Sequence, residues 1–245
     1  MMKLRKTTVV WFALMCAVMS AYAIPRAEYP RPQFERADWV NLNGDDWTYE
    51  FDFGKSGMNR KLYDSKGFKD VITVPFCPES KLSGVGYLDF IPAMWYHRAI
   101  QMPMEWNGKR VKLNFGGVDF FAAVYIDGKL VGRHWGGNSP FTCDITEAVA
   151  DGKSHNLVVR VEDDLRSGIQ PTGKQCGNYN SEGCHYTRTT GIWQTVWMEP
   201  VDAAGLKEVY IIPDLDRGRF VVEPEFYGFA DGQAVEVLIK DGSKV

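Results

Sequence analysis

Two pairs of neighbouring acids, Asp45-Asp46 and Asp163-Asp164, are the residues best suited to acid and base work in this 245-residue chain. Neighbours in an extended strand point to opposite faces, so neither pair offers two carboxyls to one bond, and Asp45-Asp46 reads as solvated turn charge. Ser139 and His134 are the types used in nucleophilic hydrolysis, but no Gly-x-Ser-x-Gly elbow surrounds the serine. Cys176, Cys184 and His185 are metal-ligand types, yet the close cysteine spacing of structural zinc sites is missing. Cys176 and Cys184 could instead close a loop disulfide, whereas Cys77 and Cys143, in apolar settings, read as free thiols. Self-contained catalysis is not expected, and no catalytic residue, metal or cofactor is assigned.

The polar groups concentrate in 163–190, a stretch punctuated by Gly168, Pro171, Gly173, Gly177 and Gly183. It is too long and irregular for an idle connection, and long ordered loops on a rigid scaffold carry binding groups. The scaffold itself reads as β. Val111, Leu113 and Phe115 alternate with Lys112 and Asn114 in 109–115, and Leu157, Val159 and Val161 repeat the pattern in 156–162, the period of half-buried strands. Asp127-Gly128 joins 122–126 to a return strand at 129–133 through a tight turn whose central positions take positive φ. Further strands are expected at 95–102 and at 192–199, the second with Trp193, Thr195 and Trp197 on one face. A short helix is expected near 145–149, capped by Asp144 or Thr146.

Many short antiparallel strands with Gly-rich turns imply a sandwich or jelly roll. Trp47, Trp95, Trp193 and Trp197 are expected in its core, and Trp135, beside Gly136-Gly137, at its surface. Beyond a linker at 200–205, strands at 207–212, 219–227 and 234–240 make the start of a second sandwich. An immunoglobulin-type sandwich takes about seven strands over about 100 residues, so the chain is expected to be part of a longer protein. The other reading is a C-terminal hairpin packed on the first domain.

A composition of 45% hydrophobic and 24% charged residues is that of a globular chain. Residues 1–23 read as a signal peptide: basic at Lys3, Arg5 and Lys6, apolar over 7–20, and closed by the small-x-small Ala21-Tyr22-Ala23. The apolar run is shorter than the roughly 20 residues that span a bilayer. A secreted or periplasmic protein without stable membrane insertion is expected. Cleavage removes three basic and no acidic residues from a chain of formal charge −3, and with no basic cluster nucleic acid is not an expected partner.

Seven motifs occur in order: Leu42-Asn43-Gly44 with Trp47; Val74-Pro75-Phe76 with Pro78-Glu79-Ser80; Trp95-Tyr96-His97-Arg98; and Phe115-Gly116-Gly117-Val118-Asp119. Then come Gly136-Gly137-Asn138-Ser139-Pro140-Phe141 before Asp144-Ile145-Thr146, Pro171-Thr172-Gly173-Lys174-Gln175, and Thr187-Arg188-Thr189-Thr190-Gly191-Ile192-Trp193-Gln194. Together they resemble glycoside hydrolase family 2, the family of β-galactosidases, β-glucuronidases and β-mannosidases, from about residue 38 to 200. The resemblance implies an all-β chain: a jelly-roll (galactose-binding-like) sugar-binding sandwich at 24–204, then a truncated immunoglobulin-like sandwich at 205–245. In such a family a TIM barrel follows and carries two catalytic glutamates that act with retention. The implied whole is an exported β-glycosidase, and this chain lacks its barrel.

The resemblance also implies that the first domain lends a loop to the rim of the barrel's pocket. The matching segment, 163–188, supplies the substrate-binding candidates Asp163, Asp164, Lys174, Gln175, His185 and Arg188. Carboxylates accept from sugar hydroxyls, Lys174, Gln175 and Arg188 donate or bridge, and Tyr179 and Tyr186 suit stacking on a pyranose. Alternatively, Asp163 and Arg188 tie the loop to the sandwich as an ion pair. The galactosidase and glucuronidase branches carry an aspartate six residues before the glycine matched by Gly191. His185 stands there instead, either as a sugar contact that puts galactose in doubt or as a packed loop histidine. The expected partners are a terminal β-linked sugar and the C-terminal catalytic barrel. A stand-alone carbohydrate-binding module without hydrolytic activity, or a structural adaptor, remains an alternative.

Overall fold

Residues 24–240 are described by the computed structural model; the expected signal peptide lies outside the described residues. The strands are β1 (Val40–Asn41), β2 (Gly44–Phe51), β3 (Asp70–Val74), β4 (Ala93–Gln101), β5 (Arg110–Phe115), β6 (Val118–Asp119) and β7 (Phe121–Ile126). They continue as β8 (Lys129–Trp135), β9 (Phe141–Asp144), β10 (Ser154–Glu162), β11 (Gly191–Ile192), β12 (Val196–Val201), β13 (Leu206–Asp214) and β14 (Arg219–Phe226), with one short helix, α1 (Thr146–Val149). A four-stranded sheet, β1-β12-β5-β9, faces a six-stranded sheet, β3-β2-β4-β10-β7-β8, with antiparallel pairing throughout. The small pairs β6–β11 and β13–β14 lie apart from them. No helix among the described residues is long and apolar enough to cross a membrane.

Strand alternation builds the core between the layers. Met94, Tyr96 and Ile100 of β4, Leu157, Val159 and Val161 of β10, and Ala122, Val124 and Ile126 of β7 meet Val111, Leu113 and Phe115 of β5 and Val196 and Met198 of β12. Each full burial of such a side chain is worth about 1.5–3 kcal/mol. The opposite faces are covered as well. Segment 52–69 folds over the six-stranded sheet, packing Leu62, Tyr63 and Phe68 on Trp95, Tyr125 and Val158. It is pinned by buried Asp52, which accepts from the backbone of Ser56 and Gly57 and from Trp95 Nε1. Segment 24–39 covers the other sheet, where buried Glu199 accepts from Tyr29, Trp197 and Arg36.

One departure from the period-two reading is that Lys112 and Asn114, expected at the surface, are buried. Lys112 Nζ reaches Asp144 at 2.7 Å and lies over the Tyr227 ring, while Asn114 accepts from Thr142. The run expected as one strand at 192–199 is two strands, β11 and β12, in different sheets. Opposite the break stand Gly116 and Gly117, where a Cβ would fall 2.7 Å from Gln194 and 3.0 Å from Trp193. Asp45-Asp46 belongs to β2 rather than to a turn, and Asp46 pairs with Arg98. The helix starts one residue later than expected, with Asp144 accepting from the Thr146 amide. Residues 234–240 form no strand, having no partner to pair with among the described residues. The four cysteines among the described residues are free, with Cys176 buried and Cys184 exposed, so the loop disulfide does not form.

The expected tight turn is present, with φ of 46° at Asp127 and 77° at Gly128. It is held by His155, whose Nδ1 lies 2.6 Å from Asp127 and whose Nε2 lies 2.8 Å from Asp151. Carboxylates only accept, so both ring nitrogens donate and the ring is an imidazolium. Burial opposes that charge, but the bonds to Asp127 and Asp151 outweigh it and hold the pKa above the ordinary histidine value. A raised histidine stabilises the fold below its unfolded pKa of about 6.5 and loses that contribution as pH rises through the folded value. Thermal melts of His155→Gln should therefore lack part of the decline in Tm that the parent chain shows above about pH 6.5; parallel profiles would refute the clamp.

Candidate functional site

Between the ends of β10 and β11 the loop 163–190 crosses one end of the sandwich on two carboxyl-anchored feet. Asp163, only 3% exposed, accepts from Gln170 Nε2 at 2.7 Å and from Thr190 Oγ1 at 2.9 Å. Both oxygens of buried Glu79 lie 3.2 Å from the Thr190 amide. Asp119 Oδ2 accepts from Gln175 Nε2 at 2.7 Å, and the same Gln175 side chain accepts from the Thr189 amide. Burial pushes all three carboxyls up, to about 6 at Asp163 and about 7 at Glu79 and Asp119. Asp164 adds to the rise at Asp163, and the charges of Asp163 and Glu79 add to it at Asp119. An acid kept from water and close to other acids favours its protonated form.

Inside the loop, Tyr186 donates its amide to Lys174 O and accepts from the Cys176 amide, a one-residue bridge that sets both arms side by side. Arg188 is buried but not paired with Asp163. Its guanidinium donates to the carbonyls of Asn178, Tyr179 and Leu88 and lies over the Phe90 ring. Its two Nη groups are held by these carbonyls while Nε stays buried without a partner, so the alternative of an ion pair with Asp163 is replaced by a backbone tether.

Two clefts flank the loop. The larger, about 630 Å³, is lined by Asp119, Gly137, Ser139, Lys174, Tyr186 and Trp193 among others. The smaller, about 460 Å³, is lined by Phe53, Lys55, Phe90, Asp163, Asp164 and Arg166 among others. The six sequence candidates are therefore divided. Lys174 and Gln175 line the larger cleft, and Asp163 and Asp164 the smaller, where Asp164 pairs with Lys55 at 2.8 Å. His185 is exposed rather than packed, and Arg188 supports the loop from beneath.

His134 and Ser139 do meet, with Nε2 3.1 Å from Oγ. The same Nε2 lies 3.1 Å from the Gly136 carbonyl, which only accepts, so this nitrogen carries the proton and is not a base for the serine. No group of three or more His, Cys, Asp or Glu residues able to hold a metal occurs among the described residues. Trp47, Trp95 and Trp197 are core residues and Trp135 is exposed, as expected. Trp193 instead forms a wall of the larger cleft, its Nε1 donating to Gly137 O at 2.7 Å. Glu79 and Asp119 were missed as site residues. Each lies in a quoted motif, but nothing local to either shows that it meets a loop more than fifty residues away.

The chain is a two-layer β-sandwich with an acid-anchored loop beside a cleft walled by Trp193 and Tyr186. Residues 82–198 match the model for glycosyl hydrolases family 2, sugar binding domain. It is 29% identical over 182 residues to a β-galactosidase of Thermoanaerobacter pseudethanolicus, covering 72% of this chain and 22% of that protein. It is 27% identical over 217 residues to a β-glucuronidase of Bacteroides fragilis, covering 83% of this chain and 28% of that protein. The crystal structure of Ruminococcus gnavus β-glucuronidase in complex with uronic isofagomine superposes with a TM-score of 0.64 at 21% identity, covering 82% of this chain and 34% of that one. The chain thus spans about a quarter of the length of these curated relatives.

Carboxyls whose pKa is raised by folding bind their proton more tightly in the folded state. They favour the fold at acid pH and lose that advantage as the pH climbs from about 4 towards about 7. Asp163→Asn keeps an acceptor for Gln170 and a donor for Thr190, so it should flatten the fall in Tm across that window, and Asp164→Asn, which removes only a neighbouring charge, should flatten it less. Equal slopes for the parent and both variants would remove Asp163 as a source of the pH dependence.

Proposed function

We propose that this chain is the N-terminal sugar-binding part of an exported family 2 β-glycosidase that acts on a terminal β-linked sugar, with the reaction carried by a catalytic barrel further along the protein. The observation that supports this most is the construction of loop 163–190. Its feet are fixed by three buried carboxyls, while Lys174, Tyr179, His185 and Tyr186 are exposed on its crest. A loop so tied presents polar and aromatic groups in a fixed place at little further cost in ordering, which suits one wall of a sugar pocket. Asp163, Gln175 and Arg188 act in this reading as supports, Lys174 and His185 as groups that reach the sugar, and Asp164 as a contact from the neighbouring cleft.

The relatives' names, β-galactosidase and β-glucuronidase, support the glycosidase class, and their greater length supports a further catalytic part. The leader at 1–23 supports export. A division at about residue 204 is supported by the β13–β14 hairpin, which exposes Tyr210, Ile211, Ile212 and Phe220, the apolar residues a second sandwich would enclose.

The chain alone should not turn over chromogenic β-galactosides or β-glucuronides. Release of nitrophenol that disappears in Glu79→Gln or Asp119→Asn would show that the acids of the loop base are catalytic and would defeat the proposal.

A further inference from the structure

We propose that the cleft between 136–139 and 171–175 is itself a saccharide site, with the Asp119 carboxylate at its floor accepting a pyranoside hydroxyl. The inference rests on the sugar-binding reading above and extends it to a named cleft and a residue outside the six sequence candidates.

Asp119 is 7% exposed and lines the cleft. Its Oδ2 is taken by Gln175, while Oδ1 receives no donor among the described residues. Oδ1 is open to the cleft, so a hydroxyl delivered from there can donate to it. Position 137 enforces this placement, because a Cβ there would come within 2.3 Å of Oδ1. Only glycine lets the backbone pass so close to the acid.

The walls suit a sugar ring. Trp193 is held by its bond to Gly137 O, and Tyr186, 65% exposed, lines the same cleft. These are apolar faces of the kind pyranose rings pack on. Ser139, Asn138 and Lys174 line the same opening with hydroxyl, amide and ammonium groups. The volume, about 630 Å³, falls within the roughly 300–1,000 Å³ of small-ligand sites. Because the floor bears an acid that disfavours a second carboxylate beside it, a neutral pyranoside fits there better than a uronate.

The titratable and charged groups around Asp119 are Asp163 and Glu79, which push its pKa up, Lys174 at the rim, and His134 behind Ser139. Ionisation of Asp119 near pH 7 makes it a stronger acceptor, so affinity should rise with pH through that range.

The test is titration of the full chain with methyl β-D-glucopyranoside and methyl β-D-galactopyranoside, followed by amide and indole NMR shifts. Perturbation is expected at Gly137, Ser139, Lys174 and the Trp193 indole. Asp119→Asn, which keeps an acceptor for Gln175, should weaken binding by about tenfold or more and abolish the rise with pH, while the rest of its spectrum matches the parent. Tyr186→Ala should also weaken binding, and methyl β-D-glucuronide should bind less well than either neutral glycoside. Parental affinity and pH profile in Asp119→Asn, shifts that map elsewhere, or no binding of either neutral glycoside would overturn the proposal. None of these would touch the glycosidase assignment, which the turnover assay tests separately.

Discussion

A carboxyl taken out of water must find donors or keep its proton, and this condition governs the end of the sandwich where the long loop sits. Glu79 follows β3, Asp119 ends β6 and Asp163 follows β10, so three separate parts of the fold each contribute one acid. Their donors, Thr190, Gln175 and Gln170, all come from the loop. The loop is ordered because the acids need it, and the acids tolerate burial because the loop supplies hydrogen bonds. Neither half of the arrangement is stable without the other.

The sandwich can support such a site because it is shielded on three levels. Its two sheets enclose the main core, and each outer face carries a further layer, 24–39 on one side and 52–69 on the other. Each layer closes over a buried acid: Glu199 under the first and Asp52 under the second. Strands in this chain are therefore buried on both faces far more than an ordinary half-exposed sheet.

Much of this was legible in the residues. Alternation in β5 and β10 and the Asp127-Gly128 turn are local signals, and each corresponds to an observed element. Asp45-Asp46, by contrast, reads as turn charge, yet both residues lie in β2, whose pairing with β3 and β4 depends on residues far along the chain. Loop 163–190 announced itself by length and glycine content, but the roles of its residues depended on contacts from elsewhere. Arg188 could not be told from a sugar ligand until Asn178, Tyr179 and Leu88 were seen to offer it carbonyls. Asp119 and Glu79 were invisible as site residues for the same reason.

Arg36 spans two parts of the chain: its Nε meets Glu199 inside the four-stranded sheet, and its Nη2 donates to the carbonyl of Leu206, the first residue of the β13–β14 hairpin. The hairpin is therefore bolted to the sheet by a cation whose counter-charge also grips Tyr29 and Trp197. A displacement of the hairpin is thereby coupled to that buried acid, and through it to the N-terminal cover, as well as to the backbone at residue 205. Neutralising Glu199 would slacken three segments at once and turn a rigid mount into a swivel.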